Sequence, residues 1–551
     1  MITRTTKLST RRELLRAAGL GAGAFALAGC TSTGPRPNQT VDNSGVELPA
    51  YRPYTGVEAA GPATAEGVQP YFEDYPATSP RLFTDPPASG TVTAMASVPG
   101  PSPKPLTDNP YWQELNRRLG GDLEISMTPS AGYPEKFSAV VASGDLPDLA
   151  ELRFQPNLPQ LLKAKFADLT SLLSGDAVKD FPALANIPSY CWQSATYNGG
   201  IYGVPQHRPN TGTPLTSRMD IRRDLGLDHA IDSGAAFVEL CRELTDSRQK
   251  RWAMGAPVAL VQFFVEMLEG PNQWRVDGGR FTSAYETEEF TTALDQVARM
   301  WTEGLFHPDS FGQAGALTPN PGSVGQWLLQ GSVVLNYGGT SWLDSANGGR
   351  KTSGDPDYEI AAIPPPRYEG GGTARKHLGT GVYALTGISN ADPDRVAELL
   401  HVVDWLSAPF GTEEQLFKRY GIEGRNFTRE GTDPVPATGA TQEILLSAGY
   451  LGAPPIVNYA AGAATIAKQQ YDYQSAMARH SMPIPTVGLF SDTYLSKGAT
   501  LERTLYSVMG DIIQGRRAVS SWADAVQDWR NNGGDTIRSE YEASYQQEEN
   551  R

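Results

Sequence analysis

The chain has 551 residues, of which 40% are hydrophobic and 19% are charged, and its formal net charge is -15 at pH 7. This composition is ordinary for a globular protein, and the length is enough for about two or three compact units, each with its own core. The excess of acidic residues argues against nucleic acid and against an anionic membrane surface as partners, because both carry negative charge.

A targeting segment, "TRRELLRAAGLGAGAFALAGC" (10–30), stands near the start of the chain. Arg11 and Arg12 precede an apolar run, 17–28, that is too short and too rich in glycine to span a bilayer. A twin-arginine pair in this position is typical of the bacterial export route for folded proteins. The small residues before Cys30 match a lipoprotein processing site. An ordinary signal peptide with a chance cysteine is the alternative.

We therefore predict that residues 1–29 are a signal peptide and that Cys30 becomes the lipid-modified first residue. The mature protein would be extracytoplasmic, anchored by lipid to the outer face of the bacterial cell membrane. Loss of five basic residues and one acidic residue with this segment would change the charge from -15 to about -19.

The next segment, 30–90, is rich in Pro, Gly, Ser, Thr and Ala and has no sustained period, which predicts an extended tether. Part of it, "YFEDYPATSPRLFTDPP" (71–87), carries more aromatic residues than a linker needs. Packing of this part onto the first domain is therefore an open alternative.

After Gly90 the pattern alternates between strand and helix. The predicted elements, in order, are a strand at 91–97, a helix within 107–121, a strand at 122–128, a helix at 134–144 and a strand around 147–152. Asn109 is placed to cap the first helix, and Gly120 to end it. Strands separated by helices at this spacing form parallel crossovers, which predicts an α/β sheet with ligands beyond the carboxyl ends of its strands.

Further elements follow from apolar residues at helical spacing. The predicted stripes are Phe290, Ala293, Leu294, Val297 and Met300 in one helix, Val396, Leu399, Leu400, Val403 and Leu406 in a second, and Trp522, Val526 and Trp529 in a third. In the second helix, Glu398, His401 and Asp404 fall elsewhere on the wheel. The short apolar run 332–339 is best interpreted as a buried strand.

Five segments, in order, resemble one known family. They are "ASGDLPDL" (142–149), "NGGIYGVPQ" (198–206), "FTTALDQVARMWTEGLFHPD" (290–309), "GQWLLQGSVVLNYGGTSWL" (325–343) and "ADPDRVAELLHVVDWLSAPFGTEEQLFKRYGIEGRNF" (391–427). They are similar to the extracytoplasmic solute-binding proteins that feed ABC importers, of the family 1 type, and specifically to the large lipoprotein members that bind sugars and oligosaccharides.

The resemblance implies two α/β lobes that close over a ligand like a hinged trap. We assign 91–212 and 381–460 to the first lobe, and 213–380 and 461–551 to the second. The expected function is capture of a carbohydrate, with an oligosaccharide as the favoured ligand, in the cleft between the lobes, and its delivery to the transmembrane permease subunits of an ABC transporter. We expect a monomer without cofactor, metal, nucleic acid partner or membrane contact beyond the lipid anchor.

A sugar site combines aromatic platforms for the CH face of the ring with polar groups for its hydroxyls. The residues placed by the resemblance near such a cleft are Trp342, Phe154, Arg153, Gln206, His207, Tyr383, Tyr337 and Asp148. For Asp148, an ordinary turn role is the preferred alternative. The overall negative charge disfavours an anionic ligand unless Arg153 or Arg208 compensates for it locally.

Other functions were weighed against this one. The chain has no G-x-S-x-G, H-E-x-x-H or Walker pattern, but a glycoside hydrolase stays open because paired carboxylates obey no spacing rule. A peptide-binding receptor of the same import class is a further alternative. Some relatives hold calcium in a loop whose counterpart here, "CRELTDSRQKRW" (241–252), is too basic for that ion. Cys191 and Cys241 could form a disulfide or stay as buried thiols.

Overall fold

The structure is a computed structural model, and it describes residues 43, 45–64, 66–98, 100–155, 157–311, 321–338, 354–355 and 357–549. Within these ranges, no helix is both long and apolar enough to cross a bilayer.

Two larger sheets organise the chain. Their strands, in chain order, are β1 (Gly90–Val98), β2 (Gly121–Pro129), β3 (Leu149–Leu152), β4 (Val204–His207), β5 (Leu215–Arg218), β6 (Trp252–Met254), β7 (Val333–Tyr337), β8 (Ile360–Ile363) and β9 (Val382–Ile388). The first sheet has the order β2-β1-β3-β9-β4, and the second has the order β8-β5-β7-β6. The α/β fold class predicted from the sequence is confirmed.

Helices surround both sheets. In the described part of the chain they span Pro110–Leu119, Tyr133–Ser143, Leu158–Lys165, Thr170–Leu173, Ser189–Trp192, Met219–Asp224, Gly234–Leu244, Pro257–Met267, Glu288–Thr302, Pro321–Gln330, Pro393–Leu406, Glu413–Tyr420, Ala464–Ala478, Ala499–Ile513, Trp522–Trp529 and Asp535–Glu549. Short antiparallel pairs join Thr196–Tyr197 to Gly200–Ile201, Trp274–Asp277 to Arg280–Ser283, and Phe427–Glu430 to Asp433–Pro436, and a parallel pair joins Lys376–His377 to Ser481–Met482.

The first sheet forms as its sequence predicts. β1 pairs in parallel with β2 along its whole length and with β3 at Ala94 and Met95. The helix between β1 and β2 begins after Asn109, whose side chain accepts a hydrogen bond from the Trp112 amide, and it ends at Gly120 in the left-handed region (φ 74°). The β-strand and capping predictions for this region are confirmed.

The strand directions in the first sheet bring the ends of its five strands together at one edge. β1, β2, β3 and β4 run in the same direction, and β9 runs antiparallel to both β3 and β4. The carboxyl ends of four strands therefore meet the amino end of β9. This shared edge, called the carboxyl edge below, is where ligands bind in open α/β sheets.

Each sheet has its own hydrophobic core. The core of the first sheet draws on 92–204 and 382–451, and that of the second sheet on 215–363 and 505–541. The predicted apolar stripes at 290–300, 396–406 and 522–529 are buried in these cores, which confirms them. The last two helices are separated by a kink at Gly533, whose φ is 154°.

Three segments pass between the sheets. Residues 208–214 connect β4 to β5, and residues 364–381 connect β8 to β9. The third segment, 452–463, leads into the helix Ala464–Ala478, which packs against Leu328 and Ile360 on the side of the second sheet.

Three features differ from the sequence interpretation or resolve what it left open. Much of 45–90 packs on the body instead of forming a tether, as Tyr71, Phe72 and Tyr75 are buried against 410–477. Asp404 is buried, because its carboxylate accepts hydrogen bonds from two backbone amides, those of Ala183 and Leu184. Cys191 and Cys241 are free buried thiols in separate cores.

Candidate ligand-binding site

Aromatic and basic side chains meet at the carboxyl edge of the first sheet. Arg153 and Phe154 follow β3, Arg208 follows β4, and Tyr383 lies at the start of β9. Tyr450 comes from the loop after the helix pair 393–420, and its ring lies 5.7 Å from that of Tyr383. These five residues are called the carboxyl-edge cluster. They come from separate parts of the chain and are brought together by the strand order.

Arg153 is held in place by the sheet itself. Its Nε donates to Glu151 Oε1 at 2.9 Å, and its Nη1 donates to the Ser130 carbonyl at 3.1 Å. Glu151 is fully buried and also accepts from the Ser97 amide at 2.7 Å. The Arg153 charge is therefore balanced by Glu151, and its guanidinium is a fixed part of the site wall.

Tyr383 contacts two guanidinium groups. The guanidinium carbon of Arg208 is 4.9 Å from the ring centroid, and that of Arg153 is 5.8 Å from it. Both contacts are within the range of cation–π attraction. Tyr383 is still 37% exposed and Phe154 is 43% exposed, so part of each side chain is accessible to solvent. Large exposed rings held by neighbours are available platforms for a ligand.

Arg208 carries the uncompensated charge of the cluster. It is half-buried, its Nη1 donates to the carbonyl of His207 at 2.9 Å, and no ion pair to it occurs among the described residues. Burial lowers the pKa of the Arg208 guanidinium, while Tyr450, Tyr383 and Glu151 act in the opposite direction. The group stays charged, because even a lowered arginine pKa lies far above neutral pH.

A cavity of about 650 Å³ extends from this cluster. It is called the basic pocket, and its lining is Arg208, Pro209, Phe410, Gln415, Lys418, Arg419, Tyr420, Ile444, Leu445, Leu446, Gly449, Tyr450, Ala453, Pro454, Pro455, Ile456, Val457 and Tyr459. Among the described residues, three basic residues and no acidic residue belong to this lining. Arg208 and Tyr450 belong to both the pocket and the cluster, so the two features form one continuous surface.

Comparison with known proteins shows which of them share this sequence pattern and this fold. No family model matches the chain. Lipoprotein LipO of Bacillus subtilis (strain 168) is 23% identical over 487 residues, which are 83% of this chain and 92% of LipO. The N-glycan transport solute binding protein NgtS of Streptococcus pneumoniae superposes with a TM-score of 0.61 at 16% identity, over 83% of this chain and 99% of NgtS. The alginate-binding protein AlgQ2, solved without calcium ion, superposes with a TM-score of 0.60 at 16% identity, over 85% of this chain and 100% of AlgQ2.

The fold is that of the ABC-importer solute-binding proteins. The resemblance inferred from the five sequence segments agrees with these neighbours. Arg208 begins the first crossing here, and its amide donates to the carbonyl of Gly381 at the end of the second crossing at 2.8 Å.

Gln206 and His207 are buried behind the carboxyl-edge cluster. Both are buried, with 1% exposure. His207 Nδ1 accepts from the Ile456 amide at 3.0 Å, which leaves Nε2 as the donor to the Tyr190 hydroxyl at 3.0 Å. Burial lowers the pKa of His207 to about 3, so the ring is neutral. Gln206 donates to the Tyr450 carbonyl at 2.6 Å and thereby fixes a member of the cluster.

Tyr337 is not part of the carboxyl-edge cluster. It lies on β7 in the second sheet, is buried, and donates its hydroxyl to Glu266 Oε1 at 3.2 Å. Glu266 also pairs with Lys376 at 2.6 Å. Tyr337 and Glu266 line a separate cavity of about 340 Å³, beside His377 and Leu378 of the second crossing.

The remaining predicted residues lie elsewhere. Asp148 precedes β3 and is therefore at the opposite end of that strand from Arg153. Its Oδ2 accepts from the Thr93 amide at 2.9 Å and from Arg395 at 3.1 Å, as an ordinary structural carboxylate does. Trp342 and Cys30 are outside the described residues.

Sequence reasoning missed Tyr450, Lys418 and Arg419. Lys418 and Arg419 lie near the end of the helix Glu413–Tyr420, Tyr450 ends the short 3-10 helix Leu446–Tyr450, and no periodic pattern marks them. The one available signal was the basic pair Lys418-Arg419 in a segment that resembles the family. Among the described residues, no group of three or more His, Cys, Asp or Glu side chains could hold a metal ion.

Proposed function

We propose that this protein captures a carbohydrate, an oligosaccharide, between two lobes and delivers it unchanged to the permease of an ABC importer. The observation that carries the proposal is the carboxyl-edge cluster in a solute-binding-protein fold. The names of NgtS and AlgQ2, which refer to N-glycan transport and alginate binding, support a carbohydrate as the ligand class.

The lobes are proposed to be 91–212 with 381–460, and 213–380 with 461–551. The separate cores of the two sheets support this division, as does the position of the three crossing segments. A ligand that touches both lobes stabilises the closed form by its difference in affinity between the closed and open forms. Closure then needs no chemistry on the ligand.

The cluster suits a sugar chemically. A pyranose presents an apolar CH face, for which the exposed rings of Tyr383 and Phe154 are platforms. Its hydroxyls need donors and acceptors, which Arg208 and the hydroxyls of Tyr383 and Tyr450 supply. Since Arg153 and Gln206 fix the neighbours of these groups, the surface is largely formed before the ligand binds.

We further propose that Cys30 carries a lipid that holds the protein at the outer face of the bacterial cell membrane, with a signal peptide at 1–29 and a monomeric body. The motif at 27–30 supports the anchor, and the name of LipO describes that relative as a lipoprotein.

The first test is ligand identification with the full chain in detergent. Thermal unfolding is measured against panels of mono- and oligosaccharides and of peptides, and every compound that raises the midpoint is then checked for turnover. A saturable rise with one sugar series and no product supports the proposal. Hydrolysis of that sugar would place the protein among glycoside hydrolases, and a response to peptides alone would contradict a carbohydrate ligand.

The second test locates the site. Phe154→Ala and Tyr383→Ala should each weaken binding of the identified sugar by about 1–3 kcal/mol, measured by calorimetric titration. Leu225→Ala is the matched control, because Leu225 is also exposed, at 39%, but follows the helix Met219–Asp224 on the second lobe. If both ring variants bind as tightly as the unchanged protein, the site is not at the carboxyl edge.

A further inference from the structure

The basic pocket is unusual for a protein with this charge. The chain has a net charge of -15, yet Arg208, Lys418 and Arg419 line the pocket and no acidic residue does. A neutral sugar needs both donors and acceptors for its hydroxyls, and it gains little from basic side chains with no acidic residue beside them. The positive charge of the pocket is therefore evidence about the charge of the ligand.

The acidic residues behind the pocket wall are already engaged. Glu443 pairs with Arg425 and Lys104, and Asp433 accepts from the Tyr459 hydroxyl at 2.8 Å and from the Gly462 amide at 2.8 Å. Glu414 accepts from two backbone amides, those of Leu82 and Phe83. None of these carboxylates forms an ion pair with a basic residue of the pocket.

The basic residues of the pocket lack carboxylate partners within the described ranges. Lys418 Nζ donates to the Leu406 and Gly452 carbonyls, and burial lowers its pKa to about 7, with Arg419 acting in the same direction. Arg419 is exposed, and no ion pair to it occurs among the described residues. Arg208 lies where the pocket joins the carboxyl-edge cluster, beside the platform of Tyr383.

We infer that the ligand is an acidic oligosaccharide, whose carboxylate groups are bound by Arg208 and by the basic pocket while its rings stack on Tyr383. The planar fork of an arginine matches the two oxygens of a carboxylate and forms charge-assisted hydrogen bonds with them. The platform and the charge lie side by side, as the ring and the carboxylate of a uronate do. This inference rests on the proposed function and specifies its ligand class.

A matched pair of sugars tests the inference directly. Galacturonate oligomers and galactose oligomers of equal length differ in the carboxylate at the sixth carbon. Calorimetric titration of the full chain should give at least about ten-fold tighter binding of the acidic series, and this preference should fall as salt is raised. A sulfated galactose series, measured in parallel, distinguishes a carboxylate-specific site from one that accepts any anion.

Variants locate the charge. Arg208→Gln should weaken binding of the acidic series by about 10- to 100-fold and binding of the neutral series by a clearly smaller factor, because Gln keeps a donor for a hydroxyl but loses the charge. Arg208→Lys keeps the charge without the fork and should lie between the two, and Arg419→Gln, at an exposed position, should reduce the salt dependence without risk to the fold. Arg117→Gln is the control for net charge, because Arg117 is 68% exposed on the helix Pro110–Leu119.

The outcomes separate this inference from the proposed function. Equal binding of neutral and acidic oligomers, with no effect of Arg208→Gln, would overturn the acidic ligand and leave carbohydrate capture standing. Preference for the acidic series without any effect of Arg208→Gln or Arg419→Gln would show that the ligand carboxylates are not bound at Arg208 and the basic pocket. Binding of no carbohydrate of any series would overturn the proposed function, and the inference with it.

Discussion

The ion pair between Lys376 and Glu266 should be the most sensitive polar contact of the second lobe. Lys376 is 1% exposed and Glu266 is fully buried, and their charged atoms are 2.6 Å apart. Lys376 Nζ also donates to the Thr213 carbonyl at 2.5 Å. The pair therefore fastens both of the first two crossing segments to the helix Pro257–Met267.

The size of the expected loss in stability follows from the burial of both charged groups. Desolvation raises the pKa of Glu266 and lowers that of Lys376, and each charge is kept by the other. Removing one partner of a buried pair leaves the other charge uncompensated, at a cost of about 3–5 kcal/mol. We expect this loss in the free energy of unfolding for Lys376→Met. The loss should be smaller at pH 5 than at pH 8, because Glu266 alone can be neutralised by a proton.

Denaturant unfolding followed by tryptophan fluorescence measures the effect. The double variant Lys376→Met/Glu266→Gln should recover a large part of the lost stability, since no buried charge remains. Lys468→Met is the surface control: its pair with Asp472 is 57% exposed on both sides and should contribute no more than about 1 kcal/mol. A loss below about 1 kcal/mol for Lys376→Met, independent of pH, would refute this reasoning.

Two further predictions concern the first lobe. Burial raises the pKa of Asp404 to about 8, and the Leu184 and Ala183 amides act in the opposite direction. The protonated Asp404 therefore stabilises the folded state fully below about pH 4. This stabilisation is lost as the pH rises toward 8. The slope is up to about 1.4 kcal/mol per pH unit, and Asp404→Asn should flatten it in unfolding curves recorded from pH 5 to 8; an unchanged slope would contradict the assignment. Asn109→Ala removes a helix cap and should cost about 1–2 kcal/mol in the same assay, whereas a neutral result would show that the cap contributes nothing to stability.

Local signals explain what the sequence could predict. β1, β2 and their intervening helix carry alternation, a capping asparagine and a terminal glycine within a few residues of one another, so each boundary is specified by its neighbours. Arg153 and Phe154 could be placed at the end of a strand in the same way, because they directly follow a predicted strand. The aromatic residues of 71–75 indicated correctly that this stretch packs on the body of the protein, although its composition is that of a linker.

The remainder depends on contacts that local patterns do not encode. Asp404 was placed off the apolar stripe of its helix, and it is buried because a loop more than 200 positions earlier presents two amides to it. Tyr450 reaches Tyr383 from an irregular segment, and its position depends on the Gln206 side chain. Such residues become visible once the order of the strands is known.

Net charge alone does not decide the sign of the charge that a cleft can bind, for a related physical reason. At physiological ionic strength a charge is screened over about 8 Å, so a group in the cleft responds to its nearest neighbours and not to the total of -15. The neighbours of a ligand at the carboxyl edge are Arg208 and the basic pocket, because Glu151 is neutralised by Arg153. A protein can therefore be strongly acidic, repel polyanions from most of its surface, and still bind an acidic sugar at the one edge where its sheet brings cations together.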